Sequence, residues 1–365
     1  MQSDPIEELF GLMDDEKYDD VLDKVERMIS TDNQNPVLHA VKAMALMETG
    51  VDSEAALKEA DFAYKKSQDP FFKYVRGWAL AENGDIKQGL TLLNQASDQD
   101  PDNIQYLIKL AEVYEDDGKS QDALKAIIRA QRLEPDDVRL SLMKAGYLNT
   151  LERAREAVTE LKRINSKYPE FDYAYFILSE SYLLLDDIKN AQIAIDSAIK
   201  LSKQPDPEYY ERSAQVRIAE GDIGNAISFL DRAMGAAISD DEKVIYLLEK
   251  VKALSFVGKA DEGEKILRNE YEKNTDNALY YYSLIDNLSD QGKKDEIEQL
   301  IHDKNLPESL STLIRVYTGI YEKPDEDAVE SALSSLHDDI NQNDFNLTLS
   351  QILFDAMLAS AGKDE

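Results

Sequence analysis

An all-α, right-handed superhelical solenoid of tandem helix-turn-helix repeats, closed by C-terminal capping helices, is the fold class that this sequence predicts. Three observations lead to it. First, several columns of residues recur every 34 positions: Gly50, Gly84 and Gly118; Pro101, Pro135 and Pro169; Ala111, Ala145 and Ser179; Ala123, Ala157 and Ala191, then Ala226 after a one-residue slip. A shared period in independent columns marks a tandem array. Second, apolar residues inside each period fall at three- and four-residue spacing, the pattern of one helix face. Third, 43% hydrophobic and 31% charged residues with only 15 Gly and 10 Pro in 365 suit a solvated helical protein with little room for long loops.

Residues 104–137 show the unit most clearly. Leu107, Leu110, Ala111 and Tyr114 form one helical stripe. Gly118 ends that helix, where positive φ is easily accommodated. Ala123, Leu124, Ile127 and Ala130 form a second stripe, and Pro135 breaks it for want of an amide donor. Each unit is therefore two short antiparallel helices, with Ala111, Ala123 and Ala130 allowing close backbone approach. The frame runs as 2–35, 36–69, 70–103, 104–137, 138–171, 172–206, 207–243 and 244–277, with a weak first unit, slips in the last two, and a degenerate ninth unit around Gly292 at 278–306. The domain reading is an array over 1–306 and a helical cap or docking region over 307–365. In that tail, Leu310, Leu313, Ile314 and Tyr317 form one amphipathic stretch, and Val329, Leu333, Leu336 and Ile340 another. Pro324 with Asp325, Glu326 and Asp327 reads as a helix start. The segment 345–361 carries two apolar stripes, Leu349–Ile352–Leu353–Met357 and Leu347–Phe354–Leu358. The first is expected to cap the final repeat. The second is expected to be buried under neighbouring helices or to meet a partner, a second copy of the chain included.

The unit resembles the tetratricopeptide repeat. In 104–137 the pattern positions are held by Leu107, Leu110, Ala111, Tyr114, Ala123, Ile127, Ala130 and Pro135. In 138–171 Ala145, Leu148, Ala157, Leu161 and Pro169 match, while Ser141 and Lys144 depart from the pattern. In 172–206 Tyr175, Leu178, Ser179, Tyr182, Ala191, Ile195 and Ala198 match. Trp78 lies one residue past the small Gly77 and so is not the motif tryptophan. The resemblance implies that the first helix of each unit lines a concave face. Transferring that frame gives a candidate peptide-binding groove of Tyr74, Trp78, Ile108, Glu112, Leu142, Phe176, Glu180, Leu183, Glu211, Gln215, Leu248 and Lys252. Aromatic and aliphatic positions with acids at intervals suit an apolar or amphipathic segment carrying Lys or Arg. Packing against the adjacent repeat is the competing expectation for each of them. Co-chaperone members of the family grip a C-terminal carboxylate with Lys, Asn and Arg. Here the matching places hold Trp78, Glu112, Glu180 and Gln215, and two carboxylates would repel such a ligand.

Charge and chemistry narrow the function. Asp and Glu number 73 against 41 Lys and Arg, a formal charge of −32. Such a field repels phosphate backbones and anionic membranes, so neither nucleic acid nor membrane insertion is expected, and a basic or amphipathic protein segment is. The absence of Cys removes disulfides, cysteine-ligated metals and thiol catalysis. The acidic start MQSDPIEELF lacks a signal-peptide pattern, and a cytoplasmic setting is expected. His39, His302 and His337 lie far apart, and no phosphate loop or nucleophile motif occurs. Acidic runs at Asp14-Asp15-Glu16 and Ser239-Asp240-Asp241-Glu242 read as helix caps rather than calcium loops. The expected function is a non-enzymatic scaffold or adaptor without cofactor or metal. A peptide-responsive sensor or a non-catalytic subunit of an enzyme complex is the alternative.

Overall fold

The computed structural model describes residues 4–321, 345–346 and 348–353. The chain divides into two compact units, Met1–Asp187 and Ile188–Glu365. Among the described residues all regular structure is helical.

The first unit holds α1 (Pro5–Asp14), α2 (Tyr18–Thr31), α3 (Pro36–Thr49), α4 (Ser53–Lys66), α5 (Pro70–Glu82), α6 (Ile86–Gln99), α7 (Ile104–Asp116), α8 (Ser120–Leu133), α9 (Val138–Thr150), α10 (Ala154–Lys167) and α11 (Asp172–Leu184). Helices start where the predicted frame opens a unit. Asn35, Asn103 and Asp137 cap α3, α7 and α9 by accepting from the amides of Val37, Tyr106 and Arg139, and Pro36 and Pro70 open α3 and α5. Side-chain acceptors there satisfy amides that have no intrahelical partner. The turn inside each pair is equally regular. Glu16, Gly50, Gly84, Gly118, Glu152 and Asp186, each 34 residues after the last, all have φ between 55° and 85°. Glycine accommodates that geometry at no steric cost, whereas the three acidic residues hold it against Cβ repulsion.

Consecutive helices pack antiparallel, and first helices also touch first helices of adjacent pairs, as in α3 with α5, α5 with α7 and α9 with α11. Ala111, Ala123 and Ala130 are fully buried. In the preceding pair the same columns hold Gly77 and Gly89, and the backbones of α5 and α6 come closer still. A methyl group on Gly89 would stand 2.7 Å from the Gly77 carbonyl oxygen. The weak first unit is a genuine pair, with Leu9, Val21, Val25 and Leu38 closing its core.

The second unit holds α12 (Ile188–Leu201), α13 (Pro207–Glu220), α14 (Ile223–Ala236), α15 (Asp240–Phe256), α16 (Ala260–Lys273), α17 (Ala278–Asp290), α18 (Lys294–Lys304) and α19 (Glu308–Tyr317). The repeat slips here because α15 is 17 residues long, against 14 for α13 and 13 for α17. It starts at Asp240, before the expected unit boundary at 244, and Ser239 caps it by accepting from the Glu242 amide at 3.2 Å. The core runs from Tyr281, Leu284 and Leu288 through Ile297 and Ile314 to Leu349 and Leu353. The stripe expected to cap the array thus covers it through Leu349 and Leu353, while Met357 lies outside the described residues. So do Leu347, Phe354 and Leu358 of the other stripe, Val329, Leu333, Leu336 and Ile340, the helix start at Pro324, and His337.

Candidate functional site

A helix C-terminus carries partial negative charge from its unpaired carbonyls, and a base in the last turn is the usual compensation. In the first unit the second helices α4, α8 and α10 follow this with Lys65 and Lys66, Arg132 and Lys167, although α2 and α6 do not. None of the first helices α1, α3, α5, α7, α9 and α11 has a base there. Instead Glu48 ends α3, Glu82 ends α5, and Glu115 and Asp116 end α7.

These acids, from units 34 and more residues apart, come within electrostatic range of one another. Dehydration of its carboxyl raises the Glu48 pKa although the side chain is exposed overall, and repulsion from Glu112, Glu82 and Glu16 adds to that, with Lys109 opposing. Burial raises Asp116 in the same direction, reinforced by Glu82 and Glu112. Lys109 is the cation set among them. Its Nζ lies 4.2 Å from the Trp78 ring centroid and 2.5 Å from Glu112 Oε2. Beneath it, Tyr74 stacks on Tyr106 at 4.7 Å, and Trp78 Nε1–H donates to Glu82 Oε1 at 3.0 Å.

Beside this acidic edge, α9 and α11 enclose a cleft of about 580 Å³. Val138, Leu142, Met143, Phe171 and Ile177 supply apolar walls, and Glu115, Tyr147, Glu180, Tyr173 and Arg139 supply polar groups. The second unit has its own cleft of about 520 Å³ between α15 and α17, walled by Leu248, Val251, Phe256 and Leu279, with Lys252, Asp286 and Asp290 at its polar positions and Ile352 reaching it from the C-terminal helix. There Tyr317 donates to Asp286 Oδ1 at 2.5 Å.

The predicted groove residues separate by exposure. Tyr74, Trp78, Ile108 and Phe176 are buried, at 3–8% exposure, and pack the first-helix layer rather than standing open. Glu112, Leu142, Glu180 and Leu183 are half-buried, and Leu142 and Glu180 line the cleft of the first unit. In the second unit Leu248 and Lys252 share the other cleft, while Glu211 accepts a hydrogen bond from Gln215 at 2.8 Å outside it. Sequence reasoning missed Glu48, Glu82, Glu115, Asp116 and Tyr147. A signal for the four acids was present in the missing last-turn bases. Tyr147 had none, since it takes the place of the apolar Val113 one unit earlier.

No group of three or more His, Cys, Asp or Glu side chains among the described residues is arranged to hold a metal ion, and no described helix is long and apolar enough to cross a membrane.

Residues 80–146 match the family model of the tetratricopeptide repeat. A tetratricopeptide-repeat protein from Parabacteroides merdae matches the fold with a TM-score of 0.51 at 15% identity, over 68% of this chain and 96% of that one. IFIT1 bound to m7Gppp-AAAA matches with a TM-score of 0.54 at 14% identity, over 82% and 70%. Yeast Tom70 matches with a TM-score of 0.52 at 16% identity, over 71% and 55%. At such identities the likeness concerns the fold. No curated protein matches the sequence significantly. With its 34-residue helix pairs, the chain has the tetratricopeptide-repeat fold, which generally mediates protein–protein interaction.

Proposed function

We propose that this chain is a non-enzymatic adaptor that binds a basic, amphipathic protein segment along the first-helix face of its Met1–Asp187 unit. The observation that supports this is the row of carboxylates at Glu48, Glu82, Glu115 and Asp116, placed where helix dipoles are already negative. That arrangement opposes folding, since like charges are gathered with no base in the last turns and Lys109 offsets only part of the repulsion. A cationic partner relieves the repulsion on binding, and the apolar cleft beside the acids takes its non-polar side chains. A net charge of −32 argues against an anionic ligand such as RNA. The cytoplasm is the setting we propose for a chain without cysteine.

The test is calorimetric titration with a basic amphipathic helix-forming peptide and its acidic counterpart. The basic peptide binds and the acidic one does not. Raising salt from about 0.1 M to about 1 M shortens the screening length from about 10 Å to about 3 Å, so affinity falls steeply. Glu48→Lys with Glu82→Lys removes most of the binding. Equal affinity for both peptides, or binding indifferent to salt and to these substitutions, refutes the reading.

A further inference from the structure

The cleft between α9 and α11 contains a buried acceptor that the fold leaves unused, beside a tyrosine side chain. Tyr147 is only 9% exposed and its side chain lines the cleft. Glu115 Oε2, on the same cleft, is buried and makes no hydrogen bond. Buried polar atoms are almost always satisfied, and each orphan costs folding free energy. A buried carboxylate oxygen without a donor, facing an opening that a tyrosine also lines, points to a ligand that supplies donors. Arg139 also lines the opening but is turned toward Asp137, the cap of its own helix, at 3.7 Å.

Resting on the adaptor reading above, we propose that this cleft is a specificity subsite for one arginine side chain of the partner. Its guanidinium donates to Glu115 Oε2 and to the Tyr147 hydroxyl, and its methylene stem lies along Leu142, Met143 and Ile177. The ligand class follows from the lining. A planar fork of donors reaches two acceptors at once, and a guanidinium is more weakly hydrated than an ammonium, so it enters an apolar-walled cleft at lower cost. Long basic side chains bury their stems against apolar surface while the charge stays with polar groups. Burial, with Glu112, Glu115 and Asp116 adding to it, holds the Tyr147 phenol well above its ordinary pKa. The hydroxyl therefore stays neutral at physiological pH and can accept from the guanidinium.

The test uses the full chain and two fluorescein-labelled dodecapeptide pools, degenerate except for a central Leu-Xaa-Leu in which Xaa is arginine or its neutral isostere citrulline. Wild-type protein binds the arginine pool at least about tenfold more tightly, the range of a hydrogen bond to a charged group. Glu115→Gln and Tyr147→Phe each reduce that preference and leave affinity for the citrulline pool unchanged. The arginine–citrulline comparison is read on wild type, so it does not depend on the folding of either variant. If both pools bind wild type equally, or if both substitutions leave the preference intact, the subsite is overturned while the adaptor reading stands. If neither pool binds wild type at any salt concentration, both are overturned.

Discussion

Replacing Gly89 by alanine tests the closest backbone approach in the first unit. The added methyl group would lie 2.7 Å from the Gly77 carbonyl oxygen, 3.1 Å from the Ala81 amide nitrogen and 3.2 Å from Ala81 Cβ. Favourable carbon–oxygen contacts begin at about 3.3 Å, so α5 and α6 must part by roughly 0.6 Å. Two of the three obstacles are backbone atoms, so no rotamer change relieves the clash. Overpacking of this kind costs about 1–3 kcal/mol, while alanine regains about 0.8–1.0 kcal/mol of helix propensity. The net expectation is a loss of about 0–2 kcal/mol, a fall in melting temperature of up to about 8 °C for a unit of this size. Gly146 is the control. It lies within α9 with nothing inside 4 Å of an added methyl, so Gly146→Ala gains up to about 1 kcal/mol. Urea unfolding followed by circular dichroism measures both. If Gly89→Ala is stabilised as much as Gly146→Ala, α5 and α6 are not in the contact described. Because α5 carries Tyr74 and Trp78, the same shift would loosen the layer beneath Lys109.

Glu152→Gly relieves the positive φ of 57° and stabilises by up to about 1 kcal/mol, read in the same unfolding assay; a loss would mean the left-handed turn is absent. Glu48→Gln raises the melting temperature at pH 7 and leaves it unchanged below pH 4.5. The folded state raises this acid's pKa above the ordinary 4.5, so its penalty is present at neutral pH and vanishes once both states are protonated. Glu160 behaves oppositely. Lys144, Arg163 and Gln131 donate to its carboxylate and outweigh burial, lowering its pKa to about 2. Glu160→Gln therefore destabilises at pH 7, with the difference shrinking as pH falls from about 4.5 toward 2. Leu349→Ala removes a fully buried side chain from the core of the second unit and costs about 2–5 kcal/mol, and hydrogen exchange quickens first at α17 and α19.

Helix pairing, the unit length and the placing of turns were legible in the sequence because each depends on residues close along the chain. The alanine stripes, the prolines after second helices and the glycines between helices all act within a turn or two. The turn geometry outlasts its own signal. Glu16, Glu152 and Asp186 adopt the conformation of the glycine column because the helices on either side demand it, and the letters alone do not show that. Exposure was decided by tertiary structure. Tyr74, Trp78, Ile108 and Phe176 have the expected helical positions but are buried, since how far a first-helix side chain stands open depends on the distance to the neighbouring pair. The acids at Glu48, Glu82, Glu115 and Asp116 are scattered in the chain and become one electrostatic edge only when the pairs stack. Glu115 acquires its unmet acceptor in the same way. Whether a buried oxygen finds a donor is settled by side chains from other helices, and no local pattern carries that information.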